Sequence, residues 1–137
     1  MKLTVTPETF RLAEVFTISR GSRTEAKVLT VTVEKDGITG RGECVPYARY
    51  GESLESVTGQ IEGLELPLSR TELQGMLPPG AARNAVDCAL WDWEAKRAGK
   101  RVWDMAGLPK PGPMITAFTL SLDTPERMEA AARRNAS

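Results

Sequence analysis

The sequence predicts an α+β fold: a three-stranded antiparallel meander followed by a helical bundle, then a single strand-and-helix unit. Three observations carry this reading. Residues 26–34 alternate, with Leu29, Val31 and Val33 on one face and Thr30, Thr32 and Glu34 on the other. Residues 81–97 place Ala82, Ala85, Val86, Ala89, Leu90 and Trp93 at helical spacing, as one apolar stripe. Residues 115–122, ITAFTLSL, read as a strand just ahead of Asp123-Thr124-Pro125, a helix start with Thr124 as N-cap and proline at the first helical position.

The elements follow in order. Leu3, Val5 and Pro7 alternate with polar neighbours, so residues 2–12 suit an edge strand, where proline is tolerated. Thr17 to Thr24 reads as a loop between the first two strands. Asp36-Gly37 is a hairpin turn signal, and residues 38–45 return as the third strand. The stretch from Gly40 to Ser53, GRGECVPYARYGES, then sets a Gly-flanked glutamate before two tyrosines and an arginine, residue types suited to holding a polar ligand. Ser53 caps a helix to about Glu62, and Ser69 with Glu72 forms a capping box for a short helix ending near Met76. Pro78-Pro79-Gly80 stops that helix. In the long helix, Arg83–Asp87 and Asp92–Lys96 are i,i+4 pairs, worth about 0.2–0.5 kcal/mol each. Lys96 and Arg97 suit the negative end of its dipole, Gly99 is its C-cap, and residues 102–106 add one turn before Gly107. Residues 1–108 make one α+β domain; residues 109–137 form a linker and the start of another.

Composition narrows the function. Eighteen Lys and Arg balance eighteen Asp and Glu, so the electrostatic footprint of a nucleic-acid binder is missing. No apolar run approaches the roughly 20 residues of a membrane span, and MKLTVTPETF has no signal-peptide core, which makes a cytoplasmic location the expectation. Cys44 and Cys88 have no CxxC or zinc spacing and are read as buried, reduced thiols. With no histidine, acid-base chemistry by this chain falls to carboxylates, lysine, tyrosine or cysteine, and Ser-His and Cys-His nucleophiles within it are excluded. Asp87, Asp92 and Glu94 project from different sides of one helix with local cationic partners, not as a metal site. Glu43 reads as a strand-end residue in a structural hydrogen bond, and Trp91, Trp93 and Trp103 as core and interface packing.

Three stretches carry a resemblance: FTISRGSRTEA (16–26), GRGECVPYARYGES (40–53) and GAARNAVDCALWDWEAKRAGKRVWDMAGL (80–108). Together they resemble the enolase superfamily in its mandelate racemase/muconate-lactonizing-enzyme branch, and within it the L-Ala-D/L-Glu or dipeptide epimerases. The first two look like the two loops of that family's N-terminal capping domain, the third like its long cap helix, and TAFTLSL (116–122) like the first strand of a TIM-like barrel. The resemblance implies an isomerase. Barrel lysines would act as opposed acid and base, and Mg2+ would stabilise an enediolate formed at the α-carbon of a dipeptide, in murein peptide metabolism.

The family's first catalytic lysine lies on the second barrel strand, and this chain stops in the helix before it. The expectation is therefore the N-terminal part of such an enzyme, with no catalytic residue and no bound metal in this chain, and inactive alone. The alternatives are another member of the branch (an N-acylamino-acid racemase, an o-succinylbenzoate synthase or a cycloisomerase) or a non-catalytic truncated fragment. By resemblance, Arg20 or Arg23 meets the distal carboxylate of the dipeptide, since a guanidinium binds carboxylate through two parallel hydrogen bonds. Tyr47 and Tyr50 wall the pocket, Phe16 contacts substrate, and Thr119 hydrogen-bonds its backbone, while Arg49 faces solvent. A lone strand at 115–122 would expose unpaired edges and favour self-association.

Overall fold

A computed structural model describes residues 1–136. The sheet has three strands in the order β1-β2-β3: β1 (Lys2–Ile18), β2 (Gly21–Lys35) and β3 (Ile38–Cys44). Lys35 pairs with Ile38 and Leu29 with Cys44, so the antiparallel register is set at the Asp36-Gly37 turn. Both turn residues have positive φ, 54° and 73°, the backbone a two-residue hairpin needs. The first hairpin departs from expectation. Strand continues through most of Thr17–Thr24, leaving Ser19-Arg20 as the connection. Apolar alternation reports a face in contact with a core, and residues 7–15 are exposed at all but one position. That part of the strand carries no such pattern and is held by its backbone ladder.

Leu29, Val31 and Val33 are fully buried on the inner face of β2. They meet Val57 and Ile61 of α1 (Leu54–Glu62), Leu73 of α2 (Arg70–Met76), and Ala85, Val86, Ala89, Leu90 and Trp93 of α3 (Ala81–Ala98) in one core. The caps form where the sequence places them. Ser53 and Ser56 exchange hydrogen bonds at the start of α1. Glu72 accepts at 2.7 Å from both the Ser69 N–H and its hydroxyl, and these bonds hold the Glu72 carboxyl below its ordinary range, the hydroxyl being the larger cause. Gly99, at φ 60°, closes α3. A fourth helical turn, α4 (Val102–Met105), follows.

The tightest packing lies between β3 and α3. A Cβ built on Gly42 would lie 2.0 Å from the Ala85 carbonyl oxygen, and one on Gly40 would lie 2.1 Å from that of Ala89. Only glycine allows the strand this close to the helix backbone. Asp92 reinforces the seam, accepting from the Arg41 N–H at 2.8 Å and from Lys96 at 2.7 Å, while Lys96 also donates to the Thr39 carbonyl at 2.9 Å. The indole N–H of Trp93 donates to the Lys35 carbonyl at 3.1 Å. Of the two expected helix pairs, Asp92–Lys96 forms. Arg83 turns instead to the Leu77 carbonyl, and Asp87 accepts from Gln74.

The chain forms two compact units, Met1–Glu8 with Lys27–Pro111, and Thr9–Ala26 with Gly112–Ser137. In the second, α5 (Pro125–Asn135) begins as expected, with the Thr124 hydroxyl accepting from the Arg127 N–H and proline at its first position. The strand expected at 115–122 is absent. Only its end is engaged: Leu122 N–H donates to the Thr17 carbonyl at 2.8 Å, and the Ser121 hydroxyl bridges the Val15 carbonyl and the Thr17 N–H. Ile115 and Phe118 lie exposed. An apolar pattern makes a strand only where a neighbour supplies a ladder, and residues 115–120 have none. Cys88 is also corrected: it lies exposed on α3, one position beyond the buried stripe.

Gly42→Ala is expected to destabilise the chain by about 3 kcal/mol or more, because the added carbon meets a backbone oxygen that cannot rotate away. Gly59→Ala in α1, where nothing lies within 4 Å of the added carbon, is expected to stabilise by about 0.5–1 kcal/mol. Urea unfolding of both variants checks this, and equal effects would contradict the close-approach argument.

Candidate functional site

The predicted site residues fall into two groups, one in each unit. In the second unit, Phe16, Arg23 and Thr119 line one cavity of about 610 Å³. Apolar residues, Leu12, Phe118 and Ala130 among them, line it together with the charged Glu14, Asp123, Arg127 and Arg134. Arg127 is paired to Asp123 at 3.3 Å. Phe16 lies on β1 and Arg23 on β2, so an aromatic ring and an arginine of one hairpin both line this cavity. An apolar chamber with a guanidinium in its wall suits a ligand with an apolar body and a carboxylate. Arg20 occupies the hairpin turn and lines no part of this cavity.

In the first unit, Tyr47 and Tyr50 line a more open cavity of about 690 Å³ with Glu43, Cys44, Glu52 and Asn84. The chain leaves β3 at Cys44 and tightens into a 3₁₀ turn at Ala48–Tyr50, ended by Gly51 at φ 74°. Tyr50 N–H donates to the Tyr47 carbonyl at 2.8 Å, and the two rings lie 5.7 Å apart, tilted by 56°. Tyr47 is half-buried and Tyr50 exposed, while Arg49 faces solvent as expected. Glu43 pairs with Thr30 in the ladder, but its carboxylate is exposed and makes no side-chain hydrogen bond among the described residues, contrary to the expected structural bond. Cys44 is buried beside it. Burial first, then the charges of Glu52 and Glu43, push its thiol up to about 11 from an ordinary 9.0.

Sequence reasoning passed over Glu52. Its carboxylate accepts from the Tyr47 N–H at 3.1 Å and from the Ala81 N–H, at the start of α3, at 2.7 Å. The available signal was a glutamate directly before a helix N-cap, a position usually assigned to the next helix. Asn84, on the first turn of α3, was also missed.

No group of three or more His, Cys, Asp or Glu side chains converges as a metal cage among the described residues. The helix acids are committed elsewhere, Asp92 to Lys96 and Arg41, Glu94 to Arg70 at 3.0 Å. The donor set of the described residues therefore does not fit a divalent cation. No helix of the described residues is long and apolar enough to cross a membrane.

Residues 1–107 match the family described as mandelate racemase / muconate lactonizing enzyme, N-terminal domain. The L-Ala-D/L-Glu epimerase of Escherichia coli (strain K12) is 50% identical over 129 residues, spanning 91% of this chain and 40% of that protein. An N-acetyl-D-glutamate racemase from Pseudoalteromonas sp is 42% identical over 111 residues, 76% of this chain and 35% of its own. Among solved structures, an enolase family member from Agrobacterium tumefaciens with homology to dipeptide epimerases, holding sodium and L-Ala-L-Glu with an ordered loop, superposes with TM-score 0.90 at 52% identity, over 98% of this chain and 42% of that one. A dipeptide epimerase from Methylococcus capsulatus, complexed with Mg and L-Arg-D-Lys, gives 0.82 at 27% identity, over 98% of this chain and 42% of that one. The chain thus spans about two fifths of the length of the curated relatives it matches.

Thiol chemistry offers a direct check of the first-unit cavity. With its folded thiol titrating near 11, Cys44 stays protonated across pH 9–11 while the unfolded chain loses that proton. The unfolded state then binds fewer protons, so this contribution to stability falls as pH rises through that window. Cys44→Ala is expected to remove that component of the slope in urea unfolding at pH 8 and pH 10, and a slope identical to the parent's would contradict it. At pH 8, a thiol reagent is expected to label Cys88 first.

Proposed function

The chain belongs to the mandelate racemase / muconate lactonizing enzyme family, through its N-terminal domain, and from that premise we propose that it forms the substrate-selecting part of a dipeptide epimerase acting on dipeptides of the Ala-Glu kind. The observation that carries the reading is the cavity shared by Phe16, Arg23 and Thr119, in a chain half-identical to an L-Ala-D/L-Glu epimerase.

Each residue has a distinct task in this reading. The Arg23 guanidinium binds the side-chain carboxylate of the glutamyl residue through two parallel hydrogen bonds. Phe16 and the apolar lining residues exclude water from that contact, which strengthens it by lowering the local dielectric. The Thr119 hydroxyl both donates and accepts, and so suits the dipeptide backbone. Tyr47 and Tyr50 form a second substrate-facing wall on their own turn. Arg20, at the hairpin tip, steers the anion without gripping it. The chain's share is to bind and orient the dipeptide; proton removal and return at the α-carbon belong to other segments of the enzyme. Magnesium, which the family implies, supplies charge stabilisation there when bound. This substrate class points to cytoplasmic breakdown of murein peptides. A second reading, racemisation of N-acylated glutamate, is favoured by the Pseudoalteromonas relative and asks the same of Arg23.

A hybrid enzyme tests the proposal. This chain replaces the matching part of the Escherichia coli epimerase, and α-proton exchange of L-Ala-L-Glu into deuterated water is followed by NMR. A charged hydrogen bond contributes about 1.5–3 kcal/mol, so Arg23→Ala is expected to raise KM for L-Ala-L-Glu by roughly ten- to a hundredfold. The same change should matter less than about threefold for L-Ala-L-Leu, and Arg20→Ala should have a small effect on both. Equal penalties on the two dipeptides would sink the carboxylate role, and faster turnover of N-acetylglutamate than of the dipeptide would favour the second reading.

A further inference from the structure

We propose that Glu52 is the positioning residue of the Tyr47–Tyr50 turn, acting as a splint between that turn and the N-terminus of α3. The inference rests on the reading above only in assigning the turn to substrate selection; its structural part stands alone.

Gly80, which precedes α3, has no side chain with which to cap it, so the Ala81 N–H is one of the donors that every helix start leaves unmatched. One oxygen of Glu52 takes that donor at 2.7 Å, and the other takes the Tyr47 N–H at 3.1 Å. Two N–H donors converge on one carboxylate, an acceptor at both oxygens. Its charge also lies at the positive end of an 18-residue helix, where an anion is favoured. A Cβ on Gly80 would sit 3.0 Å from the helix-facing oxygen, so glycine there leaves the carboxylate its place.

The alternatives are worse matched. Glutamine keeps the length but presents an NH2 to one of the two N–H groups, so it satisfies only one of them. Alanine satisfies neither. The turn itself has few other anchors. Val45 is exposed, Tyr50 is exposed, and the internal hydrogen bonds of the 3₁₀ turn, from Tyr50 and Gly51 back to Tyr47 and Ala48, shape the turn without attaching it to the helix. Glu52 hydrogen-bonds the ring-bearing turn to the rigid α3, so the place of both tyrosine rings depends on it.

Amide exchange on the full chain and kinetics in the hybrid enzyme test this together. Glu52→Ala is expected to speed exchange at the Tyr47 and Ala81 amides by at least about tenfold, while amides of the β2–β3 ladder stay within about twofold of their parent rates. Glu52→Gln should accelerate one of the two amides only. In the hybrid, Glu52→Ala is expected to raise KM for L-Ala-L-Glu about tenfold with kcat lowered less than about threefold, and Glu52→Gln should fall between it and the parent. Parent-like exchange at both amides would overturn the splint. Accelerated exchange with an unchanged KM would overturn its role in substrate selection. If the parent hybrid shows no epimerisation, the functional reading fails, and the exchange arm still decides whether Glu52 holds the turn. If Glu52→Ala disturbs the ladder amides as well, the Gln variant carries the decision.

Discussion

The fold depends on how closely β3 approaches α3. Gly40 and Gly42 present bare backbone to Ala85, Ala89 and Trp93, so strand and helix meet with no side chain between them. Once that distance is set, the neighbouring positions follow. The small alanines of α3 face the glycines, while Val86, Leu90 and Trp93 reach past them to fill the space under β2. Arg41, between the two glycines, points away and leaves its N–H to Asp92. Close approach maximises dispersion contacts between main chains, and it leaves little tolerance for any added atom.

That seam also orients the turn that carries Tyr47 and Tyr50. Cys44 ends β3 inside the core, and α3 begins at Ala81 beside the turn that follows it, so strand and helix deliver both ends of the Tyr47–Glu52 segment to fixed places. Glu52 joins them. A buried neutral thiol lies next to this carboxylate, and the two are compatible because the thiol keeps its proton. Rigid elements carry the positioning here, and the short turn between them carries the side chains that face outward.

Much of this was legible in the residues. The alternation at Leu29, Val31 and Val33, the Asp36-Gly37 turn, both serine caps and the alanine stripe of α3 each report a local rule that the structure obeys. What was not legible involves partners distant in the chain or faces without a core. The extension of β1 and β2 through residues 13–24 shows no periodicity, because neither face there is consistently buried. Residues 115–120 show strand periodicity but have no ladder neighbour among the described residues to make them a strand. Cys88 was read from its residue type, yet it sits one step off the buried stripe. In the candidate sites, the family resemblance pointed to Arg20 or Arg23, Phe16, Thr119 and the two tyrosines. Glu52 escaped because its partner Ala81 is 29 positions away.

The exposure of the first hairpin beyond Glu8 has an evolutionary consequence. Phe16, Arg20 and Arg23 lie in a unit separate from the one that holds Leu29, Val31, Val33 and the helix core. A substitution among them removes no core contact and opens no cavity there. Most mutations are limited by their cost to folding, so surfaces decoupled from the core can drift furthest before selection intervenes. A hairpin built this way accepts single substitutions without loss of core contacts, while the glycine-alanine seam stays under strict constraint.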